Sequence, residues 1–224
     1  IKVQDGCNQF CSYCIIPYAR GRVRSRKVED ILEEIANLTK HGCQEFVITG
    51  IHVTSYGKDL GDITLIDLLE EIAQIDGVKR IRLGSLEPGF ITKDTLDRLS
   101  KIESFCPHFH LSLQSGCDSV LKRMNRKYTT QDIREKCKAI REHFEYPALT
   151  TDIIVGFPGE TDEEFEQYMQ DVELCGFGGT DFRPVFEYVD GLIRRHEFQD
   201  LKGLIYFTDG QGTFPERMPD YQTA

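Results

Sequence analysis

The chain has 224 residues and a formal net charge of −10, from 27 Lys and Arg against 37 Asp and Glu. That length suits one sizeable core, or one domain plus a fragment of another, and both ends read as cut. No apolar run approaches the roughly 18 residues of a membrane span and no signal peptide is visible, which argues against a helical membrane protein. Eight cysteines in so charged a sequence point to a reducing, cytoplasmic setting, where thiols serve metals or packing rather than disulfides.

The first predicted strand, Ile1 to Val3, runs into Cys7, Cys11 and Cys14, a C-x-x-x-C-x-x-C spacing. Three thiolates can hold three irons of a cubane [4Fe-4S] cluster and leave the fourth iron open for chemistry, unlike the four-cysteine ligation of an electron-transfer cluster. A zinc site, the main alternative, usually closes with four ligands and shows a second Cys or His pair at short spacing. Here Cys43, Cys106, Cys117, Cys137 and Cys175 are scattered singly, and His108 and His110 lie far along the chain. Iron–sulfur is the expectation, with zinc and redox thiols as alternatives. The five scattered cysteines are expected to be buried small hydrophobes.

Behind this loop, Arg20, Arg22, Arg24, Arg26 and Lys27 place five positive charges in eight residues, with Tyr18 alongside. Lys122, Arg123, Arg126 and Lys127 form a second cluster. Basic patches beside an aromatic can grip a phosphate backbone even on an acidic protein. A solvated arm without a partner is the alternative.

Further along, short β-branched runs alternate with helical stretches. Strands are predicted at residues 45–49, 80–84, 109–113 and 149–155. Helices are predicted between and after them, from Val28, Ile31, Leu32 and Ile35, from Leu65, Leu68, Leu69 and Ile72, from Leu96 with Leu99, from Ile133, Cys137 and Ile140, and from Phe165, Met169 and Val172. Thr64 with Asp67 and Thr161 with Glu164 have capping-box spacing. Five strand-then-helix units imply a parallel sheet curled as a full or partial barrel, with its chemistry in the loops after the strands. The cysteines would then sit at the carboxyl mouth.

The stretch IKVQDGCNQFCSYCIIPYARGRVRSR closely resembles the radical S-adenosylmethionine (SAM) methylthiotransferases, with Tyr13 as the aromatic before the third cysteine. ITGIHVTSYG, LGSLEP, HLSLQSG, VLKRMNRKYT and TDIIVGFPGET match in order, so the resemblance covers residues 1 to about 176. Among the branches, the text looks most like the enzymes acting on threonylcarbamoyladenosine in tRNA, beside the anticodon. The isopentenyladenosine and ribosomal-protein branches share most of these words. The resemblance implies a [4Fe-4S] cluster on Cys7, Cys11 and Cys14, SAM chelating its open iron, and cleavage to a 5'-deoxyadenosyl radical. It also implies a SAM cradle from the backbone at Tyr13, Thr49 and Gly50 and the side chains of Ser85, Glu87, Gln114 and Asp152, with Arg126 a contact to SAM or to phosphate. Thr49, Gly50 and Gly156 are equally readable as turn residues. For Glu87 and Asp152, burial of a carboxylate at a strand mouth would demand a partner. Arg20, Arg22 and Arg24 would bind tRNA, and a flavodoxin or ferredoxin would donate the electron. The family also has an amino-terminal second-cluster domain and a carboxyl-terminal RNA-binding domain, neither expected in these residues.

The tail departs from the rhythm. Gly176 to Gly179 stand where a sixth strand is due, and a second helical pattern follows from Phe182, Val185, Phe186, Val189, Leu192 and Ile193, then a strand-like segment at 204–210. GGTDFRPVFEYVDGLI with LKGLIYFTDG resembles the later part of a von Willebrand A-like domain. Thr180 and Asp209 match its cation-holding positions, but the D-x-S-x-S loop is missing and no metal is expected there, since hard cations need several oxygens. The expectation is therefore an α/β chain, a radical SAM-type partial (β/α) barrel at 1–176 interrupted after its fifth unit and joined to a von Willebrand A-like αβ fragment at 177–224. Two further readings stand beside an enzyme: an inactive chimeric fragment, or a non-enzymatic binding module.

Overall fold

The computed structural model describes residues 1–171, 180–181, 183–195, 203–204, 212–213 and 222–223. It divides into two compact units, Ile1–Asp171 and Val172–Ala224.

In the first unit, β1 (Lys2–Asp5) leads through α1 (Ile16–Ala19), β2 (Arg24–Ser25) and α2 (Val28–Lys40) to β3 (Glu45–Gly50). Then follow α3 (Leu65–Ala73), β4 (Arg80–Leu83), α4 (Lys93–Leu99), β5 (His108–His110), α5 (Asp118–Arg123), α6 (Thr130–His143), β6 (Ala148–Thr150) and α7 (Asp162–Asp171). The sheet runs β2-β1-β3-β4, with β1, β3 and β4 parallel and β2 antiparallel at the edge. Single parallel bridges, Ile81 to Phe105 and Leu86 to Leu111, carry it toward β5, which pairs in parallel with β6. The five predicted strands thus form one parallel series joined by helical crossovers. All their carboxyl ends fall on one rim, because parallel strands share a direction.

Period-two alternation decides which residues are inside. Phe46 and Ile48, Ile81 and Leu83, and Phe109 point from β3, β4 and β5 into the core, against Ile31 and Ile35 of α2, Leu68, Leu69 and Ile72 of α3, Leu96 and Leu99 of α4 and Ile140 of α6. The intervening strand residues make a second face that is polar apart from Val47, unlike the packed Val, Ile and Leu interior of a closed (β/α) barrel. On it Glu45 pairs with Arg80 at 3.0 Å and with Arg82 at 3.7 Å, and the rings of His108 and His110 each lie 3.0 Å from Thr150 Oγ1.

Helix starts follow the expected capping. Thr64 and Asp67 form a reciprocal capping box, as do Thr92 with Thr95 and Thr129 with Asp132. Thr161 and Glu164 exchange the same pair of bonds, at 3.1 and 3.2 Å.

Three expectations need correction, and three short elements stand outside them. The strands predicted at 109–113 and 149–155 contract to three residues each, because Gln114 has φ +70° and only an isolated Gln114–Ile153 bridge forms beyond. The short elements α1, β2 and α5 have no sequence period. β2 is anchored across the fold by Asp59, which accepts from the Ser25 N–H at 2.8 Å and from its hydroxyl at 2.6 Å. Of the scattered cysteines, Cys117 is buried, Cys43 is exposed and Cys106 and Cys137 are half-buried, because their helix and loop positions straddle the surface; Cys175 lies outside the described residues. Finally, the second basic cluster is split: Lys122, Arg123 and Lys127 are exposed, but the Arg126 side chain turns inward. Arg126 is buried, Arg123 forms a two-point pair with Glu164, and Lys127 donates to Asn125 Oδ1 at 2.6 Å.

In the second unit, β7 (Thr180–Asp181) pairs in parallel with β9 (Gly212–Thr213), and β8 (Gly203–Leu204) with β10 (Gln222–Thr223). The expected helix is present as α8 (Arg183–Arg194). Since β7 precedes it, the chain does not pass directly from helix to helix. The strand expected over 204–210 lies outside the described residues apart from its first residue, and so does Asp209.

Candidate functional site at the strand mouth

The loop after β1 is built by local chemistry. Gly6 has φ +72°, and a Cβ there would lie 1.9 Å from the Arg22 carbonyl oxygen, so only glycine lets the returning segment 20–22 close over the strand end. Cys7 donates its N–H to Gly21 O at 3.1 Å, and Cys14 donates to Cys11 O at 3.0 Å. Contacts 111 to 115 residues away hold the far side of the loop. Ser12 donates its hydroxyl to Arg123 O at 2.8 Å and its N–H to Met124 O at 3.1 Å, while Asn125 donates to Phe10 O at 2.8 Å. Among the described residues, three other than glycine have positive φ, namely Phe10, Gln114 and Asn125, and Phe10 is joined to Asn125 by that bond. For Phe and Gln this backbone is costly, and such strain collects at functional sites.

The three predicted thiols lie on this one loop, near enough for Cys11 and Cys14 to act on Cys7. Cys7 is buried while Cys11 and Cys14 are half-exposed. Burial pushes the Cys7 thiol up, the Gln9 N–H at 3.4 Å opposes this, and the nearby Cys11 and Cys14 add to the rise. Among the described residues, no three His, Cys, Asp or Glu side chains converge tightly enough to hold a single metal ion. A cubane asks for something else, one soft sulfur donor per iron spread along a loop, and three cysteines on one clamped loop fit that demand.

Beside the loop lies a buried polar network. The Arg126 side chain is 6 % exposed. Its Nη1 donates to Cys11 Sγ at 3.2 Å, its Nη2 to Glu87 Oε1 at 2.9 Å and to Ser112 O at 3.0 Å, and its Nε to Tyr128 OH at 2.6 Å. Burial opposes the charge of Arg126, but Glu87, Tyr128 and Cys11 together outweigh it and hold the guanidinium above its ordinary range. Burial lifts the Glu87 carboxyl, and Arg126 pulls it back down. His52 stands 3.9 Å from Glu87. Burial, helped by Lys58 and Arg126, lowers His52 to about 4, so its ring is neutral at pH 7 and no ion pair forms. Its backbone N–H donates to Oε1 of the buried Gln4 at 2.8 Å, and Gln4 Nε2 donates to Asp5 O and Gly6 O, both at 2.6 Å. A cavity of about 770 Å³ opens here, lined by Gln9, His52, Lys58, Glu87, Lys127 and Tyr128 among others.

The other predicted residues are placed as follows. Tyr13 is 41 % exposed and meets Phe157 edge-on at 6.2 Å, and burial of its hydroxyl end pushes its pKa up to about 12. Thr49 and Gly50 end β3 and have structural tasks of their own. Thr49 donates its N–H to Ile1 O at 2.9 Å, and a Cβ on Gly50 would lie 2.8 Å from Gln4 Oε1. Ser85 is exposed after β4. Gln114 donates its N–H to Asp152 O at 3.0 Å. The burial argument holds for Glu87, whose partner is Arg126, and fails for Asp152, whose side chain is 75 % exposed and faces His110 Nε2 at 3.3 Å. Asp152 sits at a sheet edge with nothing over it among the described residues.

Arg20, Arg22 and Arg24 are exposed beside the loop. Arg20 faces Asp5 at 3.5 Å, Arg22 lies over the Phe10 ring at 5.0 Å, and Arg24 donates to Arg20 O at 2.7 Å. Sequence reasoning missed Gln4, His52 and Tyr128. His52 lies inside the motif ITGIHVTSYG, and Tyr128 follows Arg126 by two residues, but nothing in the text marks their burial.

A family model described as the radical SAM superfamily matches residues 1–172. The chain is 49 % identical over 177 residues to threonylcarbamoyladenosine tRNA methylthiotransferase MtaB of Chlamydia pneumoniae, which covers 79 % of this chain and 42 % of that protein. To the protein of the same name from Bacillus subtilis it is 43 % identical over 221 residues, 98 % of this chain and 44 % of the relative. To tRNA-2-methylthio-N(6)-dimethylallyladenosine synthase of Acetivibrio thermocellus it is 45 % identical over 213 residues, 90 % of this chain and 44 % of the relative. It thus spans a little under half the length of these curated relatives. Among solved structures, the radical SAM methyltransferase TsrM of Kitasatospora setae matches with a TM-score of 0.61 at 21 % identity, over 76 % of this chain and 33 % of that one, which is a likeness of fold.

Proposed function

Since the chain belongs to the radical SAM superfamily, we propose that it carries the catalytic core of a tRNA methylthiotransferase of the threonylcarbamoyladenosine branch. The observation that supports this most is the clamped three-cysteine loop at the carboxyl ends of parallel strands, in a chain 43–49 % identical to tRNA methylthiotransferases. When bound, a [4Fe-4S] cluster with SAM supplies the one-electron cleavage of a sulfonium bond, chemistry that belongs to the cofactor.

The chain's own residues bind and shield. Cys7, Cys11 and Cys14 hold the cluster, and Cys7 gives it a buried side. The rim formed by Tyr13, Thr49, Gly50, Ser85, Glu87, Gln114 and Asp152 receives SAM. The cavity beside Glu87, at about 770 Å³, is within the range of small-molecule sites and receives the target nucleoside. Arg20, Arg22 and Arg24 take the tRNA backbone on the exposed side of the loop. A low-potential flavodoxin or ferredoxin provides the electron, in the cytoplasm. No helix among the described residues is long and apolar enough to cross a membrane.

The dimethylallyladenosine branch remains the second reading, since its synthase from Acetivibrio thermocellus is 45 % identical. Residues 172–224 are proposed as a separate unit, with the von Willebrand A-like resemblance as one origin. An alignment to the Bacillus subtilis relative covering 98 % of this chain favours the other origin, continuation of the family's own sequence.

The test is anaerobic reconstitution with iron and sulfide, then incubation with SAM and dithionite. Release of 5'-deoxyadenosine, lost when Cys7, Cys11 and Cys14 are replaced, is the expected result. Unaltered iron content in the triple replacement refutes the reading. Competition between anticodon stem-loops bearing threonylcarbamoyl- or isopentenyladenosine separates the branches.

A further inference from the structure

Arg126 is placed unlike an ordinary ligand-binding arginine. Three of its nitrogens are already engaged within the fold: Nε with Tyr128 OH at 2.6 Å, Nη2 with Ser112 O at 3.0 Å and Glu87 at 2.9 Å, and Nη1 with Cys11 Sγ at 3.2 Å. Its guanidinium also stacks 4.9 Å over the Tyr128 ring. At 6 % side-chain exposure it is poorly placed for a phosphate backbone. Of the partners of this constrained fork, the Cys11 sulfur is the one that would ligate a cluster.

Hydrogen bonds to cluster sulfurs and charge near a cluster are among the levers that set iron–sulfur reduction potentials. An N–H donor on a ligating thiolate draws negative charge from it. It therefore stabilises the reduced cluster, which carries one more electron, over the oxidised one. A buried carboxylate nearby acts in the opposite direction.

We propose that Arg126 and Glu87 form a buried pair that sets the reduction potential of a cluster bound at Cys7, Cys11 and Cys14, Arg126 raising it through Cys11 and Glu87 partly offsetting the rise. Arg126 is on this account a positioning and tuning residue, linked to the rest of the mouth through Glu87 and its neighbour His52. The assignment rests on the cluster reading above. The redox step is the uptake of one electron from a low-potential one-electron donor, with no bond made or broken in the protein.

The test is an anaerobic potentiometric titration of the reconstituted full chain without SAM, with dithionite as reductant and the reduced cluster followed by electron paramagnetic resonance. Arg126→Gln is expected to shift the reduction equilibrium about tenfold toward the oxidised form, which is about 59 mV for a one-electron couple. Glu87→Gln, close in shape and volume, is expected to shift it the other way. Arg126→Lys, which keeps the charge and loses the fork, should fall between Arg126→Gln and the unaltered chain. Potentials unchanged in Arg126→Gln and Glu87→Gln at equal iron content overturn this assignment and leave the cluster reading intact. An unaltered chain that takes up no iron overturns both.

Discussion

The depressed basicity of His52 makes a quantitative prediction about acid stability. The imidazole ordinarily titrates at 6.5 and is lowered to about 4 in the folded chain, first by burial and then by the positive charges of Lys58 and Arg126. Its side chain is only 11 % exposed, so solvent screens little of the effect. Between pH 6.5 and 4 the unfolded chain binds a proton at this site that the folded chain refuses. Stability therefore rises with pH across that window and is lost as pH falls through it. The whole shift corresponds to about 3 kcal/mol, and at pH 5 about 2 kcal/mol has been lost relative to pH 7.5. The perturbation is His52→Gln, which removes the titrating group while leaving the backbone N–H that donates to Gln4. The assay is urea unfolding at pH 7.5 and pH 5, followed by far-ultraviolet circular dichroism. The unaltered chain should lose about 2 kcal/mol more than the variant over that interval, whatever the variant's stability at pH 7.5. Equal losses in the two proteins, or a larger loss in the variant, would refute the claim that His52 is buried as the neutral ring.

Three other outcomes follow from the same structure. Leu68→Ala removes a fully buried side chain from the centre of the core and should cost about 2–5 kcal/mol in urea unfolding at pH 7.5. Gly6→Ala forces a side chain into positive φ and against the Arg22 carbonyl; it should sharply lower iron uptake on reconstitution, whereas Gly42→Ala, where a Cβ meets nothing within 4 Å, should leave uptake unchanged. Neutralising Arg20, Arg22 and Arg24 together should flatten the log–log salt dependence of tRNA affinity by up to about three units, and an unchanged slope assigns them to structure instead, Arg24 being already tied to backbone carbonyls.

Much of the fold is readable from periodicity. The run at 80–84 alternates, the run at 45–49 is short and β-branched, and the repeats at Leu65, Leu68, Leu69 and Ile72 rise every three or four residues, so strand and helix follow from where the apolar atoms must go. The two strands read too long show the limit. The apolar pattern of 109–113 continues, but the backbone of Gln114 turns left-handed to bond with residues 152 and 154, a choice made by a partner about 40 residues away. The basic run at 122–127 is split for a related reason. Its members are near one another in sequence, yet a helix turn and a loop send Arg123 to Glu164 and Arg126 inward to Glu87, while Lys122 and Lys127 stay exposed.

What the sequence by itself determined is the chemistry of the donor set. Three cysteines at that spacing, directly after a strand, place soft sulfur donors on one loop at the carboxyl end of a parallel sheet, because spacing and strand direction are local properties of the chain. Only the tertiary structure decided what surrounds them. Burial depends on which distant segments meet: it keeps the His52 ring neutral, and the same long-range packing sets the Arg126 guanidinium 3.2 Å from the Cys11 sulfur and leaves the Asp152 side chain exposed.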